Sequence, residues 1–119
     1  MRCGAMSIVF NGCLAALTCA ATAPAAAQDS ARLALGEKVF VSSCKSCHDS
    51  GKPKNDAPQL SEQGEWKDRH GKGLPELYKN AIDGFSGYYA MPPRGGNSAL
   101  SDDEVKAAVD YLLMRAGAR

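Results

Sequence analysis

Apolar and polar positions recur at helical spacing in several stretches of this chain. The clearest is the last, where Val105, Ala108/Val109 and Leu112/Leu113 make one buried face. Ser101 and Glu104 form a capping box ahead of it, Leu100 and Val105 are placed as its hydrophobic staple, and Gly117 ends it. A second helix has Pro75 in its first position and Gly84 in the left-handed position past its end, with Leu74, Leu77, Tyr78, Ala81 and Ile82 as one apolar stripe. A third is capped by Asp29 or Ser30 and runs to about Ser42, with Leu33, Gly36 and Phe40 on one face. A mid-helix glycine costs roughly 1 kcal/mol relative to alanine. Gly36 is therefore either a tolerated surface residue or the point where a second helix crosses in close backbone contact, with Tyr111 placed to pack near Gly36 and Phe40. The pattern predicts an all-α domain.

Two stretches lack this period. From Asp49 to Gly73 the chain is polar, with turns at Gly51, Pro53, Asn55 and Pro58 and at most a short helix around Glu62 to Lys67. From Phe85 to Asn97 it is glycine-rich, centred on Met91-Pro92-Pro93-Arg94-Gly95-Gly96. Pro92 pushes Met91 toward an extended conformation, and the paired prolines stiffen the segment. So long a structureless loop is unusual inside a compact domain. It becomes sensible where the loop wraps a prosthetic group.

The N-terminus reads as a leader. Arg2 provides a short basic region, Cys3 to Ala23 is apolar and small, and Ala25-Ala26-Ala27 supplies the small residues a signal peptidase needs. Residues 1–27 are predicted to be a cleavable signal peptide and 28–119 one exported, periplasmic domain. An uncleaved membrane anchor is the alternative, but Asn11 and Gly12 interrupt the apolar run and no basic stop-transfer cluster follows. Cleavage removes Cys3, Cys13 and Cys19, leaves Cys44 and Cys47, and so leaves no disulfide framework. So small a domain is marginal on apolar side chains alone. The chain has 14 basic and 13 acidic residues, for a net charge of +1. With no basic patch or aromatic platform, nucleic-acid binding is disfavoured.

The remaining cysteines stand in Cys44-Lys45-Ser46-Cys47-His48, the pattern of c-type haem attachment. Each thiol can add across a haem vinyl group, and the tether brings His48 under the iron as proximal ligand. A thioredoxin-like pair would need a strand just before it, and the residues there read as helix. A structural zinc site would need four ligands, usually as two spaced pairs. For the sixth position, Met91 on its stiff loop is favoured. Met114 sits in the last turn of an amphipathic helix, where packing is the better reading, and His70 lies in a polar run. A thioether favours ferrous iron and raises the reduction potential. Protein ligands on both faces point to outer-sphere electron transfer. A covalently held porphyrin would also supply the missing core, so the haem-free chain is expected to be largely unfolded.

From Leu35 to Leu113 the chain resembles the class I c-type cytochromes, most closely the cytochrome c5 family. The residues concerned are Gly36 and Phe40, the Cys44–His48 motif, Ala57-Pro58-x-Leu60, Trp66-x-x-Arg69 and Ala81-x-x-Gly84. The Met91–Gly96 loop and Leu100-Ser101-Asp102-x-Glu104-Val105 with Tyr111 complete the match. The resemblance implies a small fold of three to five helices wrapped around one covalent haem c. It implies that the Pro58 carbonyl accepts the second ring N–H of His48, and that Trp66 and Arg69 lie near the haem propionates. From the residues alone, Trp66 reads equally as packing and Arg69 as a solvated side chain. One departure is the extra cysteine pair of many relatives, which this chain lacks; its loop is expected to be looser.

The expected function is a monohaem carrier of single electrons between redox partner proteins in a respiratory chain, not an enzyme, and a monomer or weak dimer. It meets the membrane only if the leader is retained. Lys45, Lys52, Lys54 and Lys72 are candidates to fringe the haem edge, although exposed lysines usually only solubilise. The alternatives are an electron-transfer subunit of a larger oxidoreductase and a haem-based gas sensor with a labile sixth ligand.

Overall fold

The computed structural model describes residues 24–52 and 56–119. Most of the expected leader, together with Pro53, Lys54 and Asn55, lies outside the described residues. Helix α1 (Ala25–Val39) starts at Pro24, not at Asp29 or Ser30. The alanines ahead of those residues are strong helix formers, so Ser30 falls inside the helix and its hydroxyl donates back to the Ala27 carbonyl (3.1 Å). The expected cleavage point after Ala27 thus lies in the first turn of α1. The helix does not stop near Ser42 either. It continues through a π-helical turn (Phe40–Cys44) directly into α2 (Lys45–His48).

Helix α3 (Gln63–Gly71) is longer than the short Glu62–Lys67 segment expected. Only Trp66 of it is buried, which explains why apolar periodicity marks it so weakly. Its charges suit a helix: Glu65 in the first turn, Arg69 and His70 in the last, and an ion pair between Glu65 and Arg69 one turn apart. Helix α4 (Leu74–Asp83) carries Pro75 in its first turn and ends at Gly84. Gly84 has φ 85° and ψ 167°, an extended conformation essentially open to glycine alone, in place of the left-handed turn expected. The second loop contains a minimal antiparallel hairpin, β1 (Phe85–Ser86) with β2 (Ala90–Met91), Phe85 opposite Met91. A 3₁₀ turn (Pro93–Gly96) follows. Helix α5 (Asp102–Arg115) begins with the complete capping box: the Ser101 hydroxyl accepts from the Glu104 N–H, and the Glu104 carboxylate accepts from the Ser101 N–H.

The fold turns on the crossing of α1 and α5. A Cβ built on Gly36 would stand 2.1 Å from the Ala107 carbonyl oxygen and 3.0 Å from the Tyr111 Cβ. The two backbones therefore touch where Gly36 allows it. Phe40 and Tyr111 stack tilted at 5.6 Å beside the crossing. Asp110, hidden in the apolar stripe of α5, is only 2% exposed. It accepts from Arg32 Nε of α1 (2.6 Å) and from the Tyr78 hydroxyl of α4 (2.7 Å), tying three helices at one carboxylate. Among the described residues, no helix is long and apolar enough to cross a membrane.

Candidate functional site

A cavity of about 470 Å³, within the range typical of ligand pockets, opens between the helix crossing and the loops. Val39, Leu77, Ala81, Val105, Ala108 and Leu112 give it apolar walls. Cys44, Cys47, His48, Pro58, Trp66, Arg69 and Met91 all line it. Met114 and His70 do not, and Met114 is 40% exposed rather than packed. The π-helical turn and α2 hold Cys44, Cys47 and His48 in helical backbone, so the two thiols and the imidazole are presented from one rigid segment. Both thiols are free. Burial, with a smaller contribution from Cys47, pushes the Cys44 thiol up to about 11.

His48 Nδ1 stands 2.8 Å from the Pro58 carbonyl oxygen. A carbonyl only accepts, so the ring proton resides on Nδ1 and the lone pair on Nε2. Burial holds this imidazole below the ordinary histidine range; the bond to Pro58 opposes that shift and the Arg69 charge adds to it. A buried, neutral imidazole with its tautomer set is the form that binds a metal. Trp66 packs edge-on against the His48 ring at 5.6 Å. Its indole N–H is committed to the Gln59 carbonyl (2.8 Å), so the side chain meets the cavity as an apolar wall. Arg69 lies over the Trp66 ring at 5.9 Å, with its Nη1 bonded to the Glu65 carbonyl and carboxylate.

Sequence reasoning missed Gln59. Its amide donates to the Cys47 and Ala57 carbonyls and accepts from the Ser50 N–H. Its backbone accepts from Trp66 and donates to Glu62. One buried glutamine thus fastens the irregular segment around 56–62 to α2 and α3. A lone Gln between Pro58 and Leu60 carries no sequence signal of that role.

Met91 sits in β2, extended as Pro92 requires. A Cβ on Gly84 would lie 2.9 Å from the Met91 carbonyl oxygen, so the end of α4 presses directly against the methionine's backbone. Of the candidate lysines, Lys72 lines the cavity, and Lys45 pairs with Asp49 at 3.6 Å. The donor set fits a covalently attached haem: two free thiols, a neutral imidazole and a soft thioether line one apolar cavity.

The comparisons with known proteins agree. A family model described as cytochrome C oxidase, cbb3-type, subunit III, matches residues 31–112. Cytochrome c-555 of Chlorobaculum tepidum is 33% identical over 81 residues, which span 67% of this chain and 73% of that protein. Cytochrome c5 of Azotobacter vinelandii is 35% identical over 79 residues, spanning 65% of this chain and 89% of that one. A cytochrome solved in an electron transfer complex of nitrite reductase with cytochrome c is 32% identical, with a TM-score of 0.60 over 71% of this chain and 95% of that one.

Proposed function

We infer the chemistry of the cavity from one premise: the chain belongs to the class I c-type cytochromes, near cytochromes c5 and c-555, and is a monohaem electron carrier with one covalent haem c. Cys44 and Cys47 would hold the porphyrin by thioether bonds, and His48 Nε2 and Met91 Sδ would be the protein's ligands to its iron. The haem supplies a single-electron couple. The observation that carries this reading is the convergence of these four side chains on one apolar cavity, with His48 held by Pro58 in the ligating tautomer.

Each surrounding group has a defined task. The Pro58 carbonyl orients the imidazole and raises its basicity. Trp66 shields that ring, while its N–H stays bonded to Gln59. Arg69 and Lys72 bring positive charge to the cavity for the acidic groups of the porphyrin. With protein ligands on both faces, a substrate has no open coordination site, which favours electron transfer over catalysis at the metal. The partners are redox proteins that receive or give one electron at the haem edge. Residues 1–27 direct export and are removed, placing the domain in the periplasm.

The test is the oxidised spectrum of wild type beside Met91→Ala. The Met-to-ferric charge-transfer band is expected in wild type and lost in the variant, and its retention in Met91→Ala overturns the ligand assignment. Intact mass of the exported protein checks the leader: a chain beginning at Gln28 plus one haem is expected. The matching family, that of the cbb3-type cytochrome c oxidase subunit III, favours a second reading, a subunit of an oxidase. Size-exclusion of native extracts separates the two readings, since a free carrier elutes alone.

A further inference from the structure

Arg94 departs from what its sequence neighbours require. It is one of two described non-glycine residues at positive φ (55°), and it stands inside the 3₁₀ turn that follows Met91. A long side chain in a left-handed conformation is strained, and something must hold it there. Its guanidinium does so with both prongs: Nη1 donates to the Leu100 carbonyl (2.8 Å) and Nη2 to the Asp102 carboxylate (2.7 Å). Leu100 and Asp102 flank the Ser101 cap, so the fork grips the rigid start of α5. The loop is also seated on the other side. A Cβ on Gly95 would stand 2.8 Å from the Ser43 carbonyl oxygen, and Asn97 reaches the Ser43 hydroxyl at 3.4 Å, one residue before Cys44.

We propose that Arg94 is a positioning residue for Met91: its fork clasps the Met91–Gly96 loop to the start of α5 and sets how often the loop swings away to release the sixth ligand. This rests on the reading of Met91 as that ligand. A planar fork can serve a carbonyl and a carboxylate at once, whereas an ammonium cannot reproduce both bonds in the same plane.

The experiment uses the ferric holoprotein and imidazole as the competing ligand. At saturating imidazole the observed rate becomes first-order and reports departure of the protein's own ligand. Arg94→Gly and Arg94→Ala are expected to raise that limiting rate about tenfold. Arg94→Gly separates the clasp from the strain, because glycine relieves the positive φ yet removes the fork. Asp102→Ala removes the acceptor of one prong and is expected to raise the rate by a smaller factor. Gln63→Ala breaks the Gln63–Gly117 bond far from the loop and is expected to lower thermal stability without changing the rate. Limiting rates of Arg94→Gly and Asp102→Ala within about twofold of wild type would overturn the proposal, as would an equal acceleration by Gln63→Ala. A wild-type ferric spectrum lacking the methionine band instead removes the Met91 reading itself, and the two failures are told apart before any variant is made.

Discussion

Behind the cavity, α1 and α5 meet backbone to backbone at Gly36 and Ala107, with Phe40 and Tyr111 stacked alongside and a buried carboxylate tying in α4. In front of it, residues 56–62 and 84–101 have little core of their own. Point contacts hold them: Gln59 bonded through both its amide and its backbone, Gly84 against Met91, and Arg94 forked onto Leu100 and Asp102. The rear wall derives its stability from area and close packing, the front wall from directional bonds. Damage at the rear should therefore unfold the domain. Damage at the front should loosen the segments that carry Pro58 and Met91 while leaving the fold standing.

The largest effect is expected when the group between the walls is withheld. A Cys44→Ser/Cys47→Ser chain, unable to tether haem, leaves an apolar cavity of about 470 Å³ without contents, and most of its native far-UV circular dichroism should be absent. A native-like spectrum would mean that the rear wall folds unaided. Next comes Gly36→Ala, which forces the crossing helices apart and should cost about 3 kcal/mol in denaturant titrations. The methionine band of whatever remains folded is expected to survive.

Asp110→Ala follows. It strands the Tyr78 hydroxyl, while Arg32, 37% exposed, can turn to water, so about 2 kcal/mol is expected, below the cost of breaking a fully buried pair. The smallest effect concerns pH. Burial first, and the bond to Asp110 second, raise the Tyr78 phenol above its ordinary value. A raised folded value means that this stabilisation is complete below about pH 10 and is lost as the pH climbs through the folded value. Wild type should thus lose melting temperature above pH 10 more steeply than Tyr78→Phe, and parallel curves would show that the phenol contributes nothing.

Sequence patterns captured the rear wall better than the front. Helix α5 was legible because Ser101, Glu104 and the apolar stripe are local signals, and the crossing was legible because a mid-helix glycine needs a reason. Asp110 was not, since a carboxylate in an apolar stripe announces a partner without naming it, and Arg32 and Tyr78 lie far away in the chain. Helix α3 was underestimated because its stability comes from charge placement and one tryptophan rather than from a stripe. The start of α1 was misplaced because Asp29 and Ser30 are good caps in isolation, yet the alanines before them extend the helix. At the site, Cys44, Cys47 and His48 were readable because the chemistry sits within five consecutive residues. The Pro58 bond to His48 followed from family resemblance and is found at 2.8 Å. Gln59 and Arg94 were not readable, because their work consists of hydrogen bonds to backbone that any polar side chain could in principle make.

The crossing at Gly36 also imposes an order of events on the newborn chain. Helix α1 is made first, but its partner α5 comes last, and the long intervening segment must loop back before the two can meet. Until Ala107 and Tyr111 have emerged, α1 has nothing to close upon, and the segment carrying Cys44 and Cys47 stays open to whatever attaches the porphyrin. Since the haem-free chain is expected to stay largely unfolded, the crossing closes only once both helices and the porphyrin are in place.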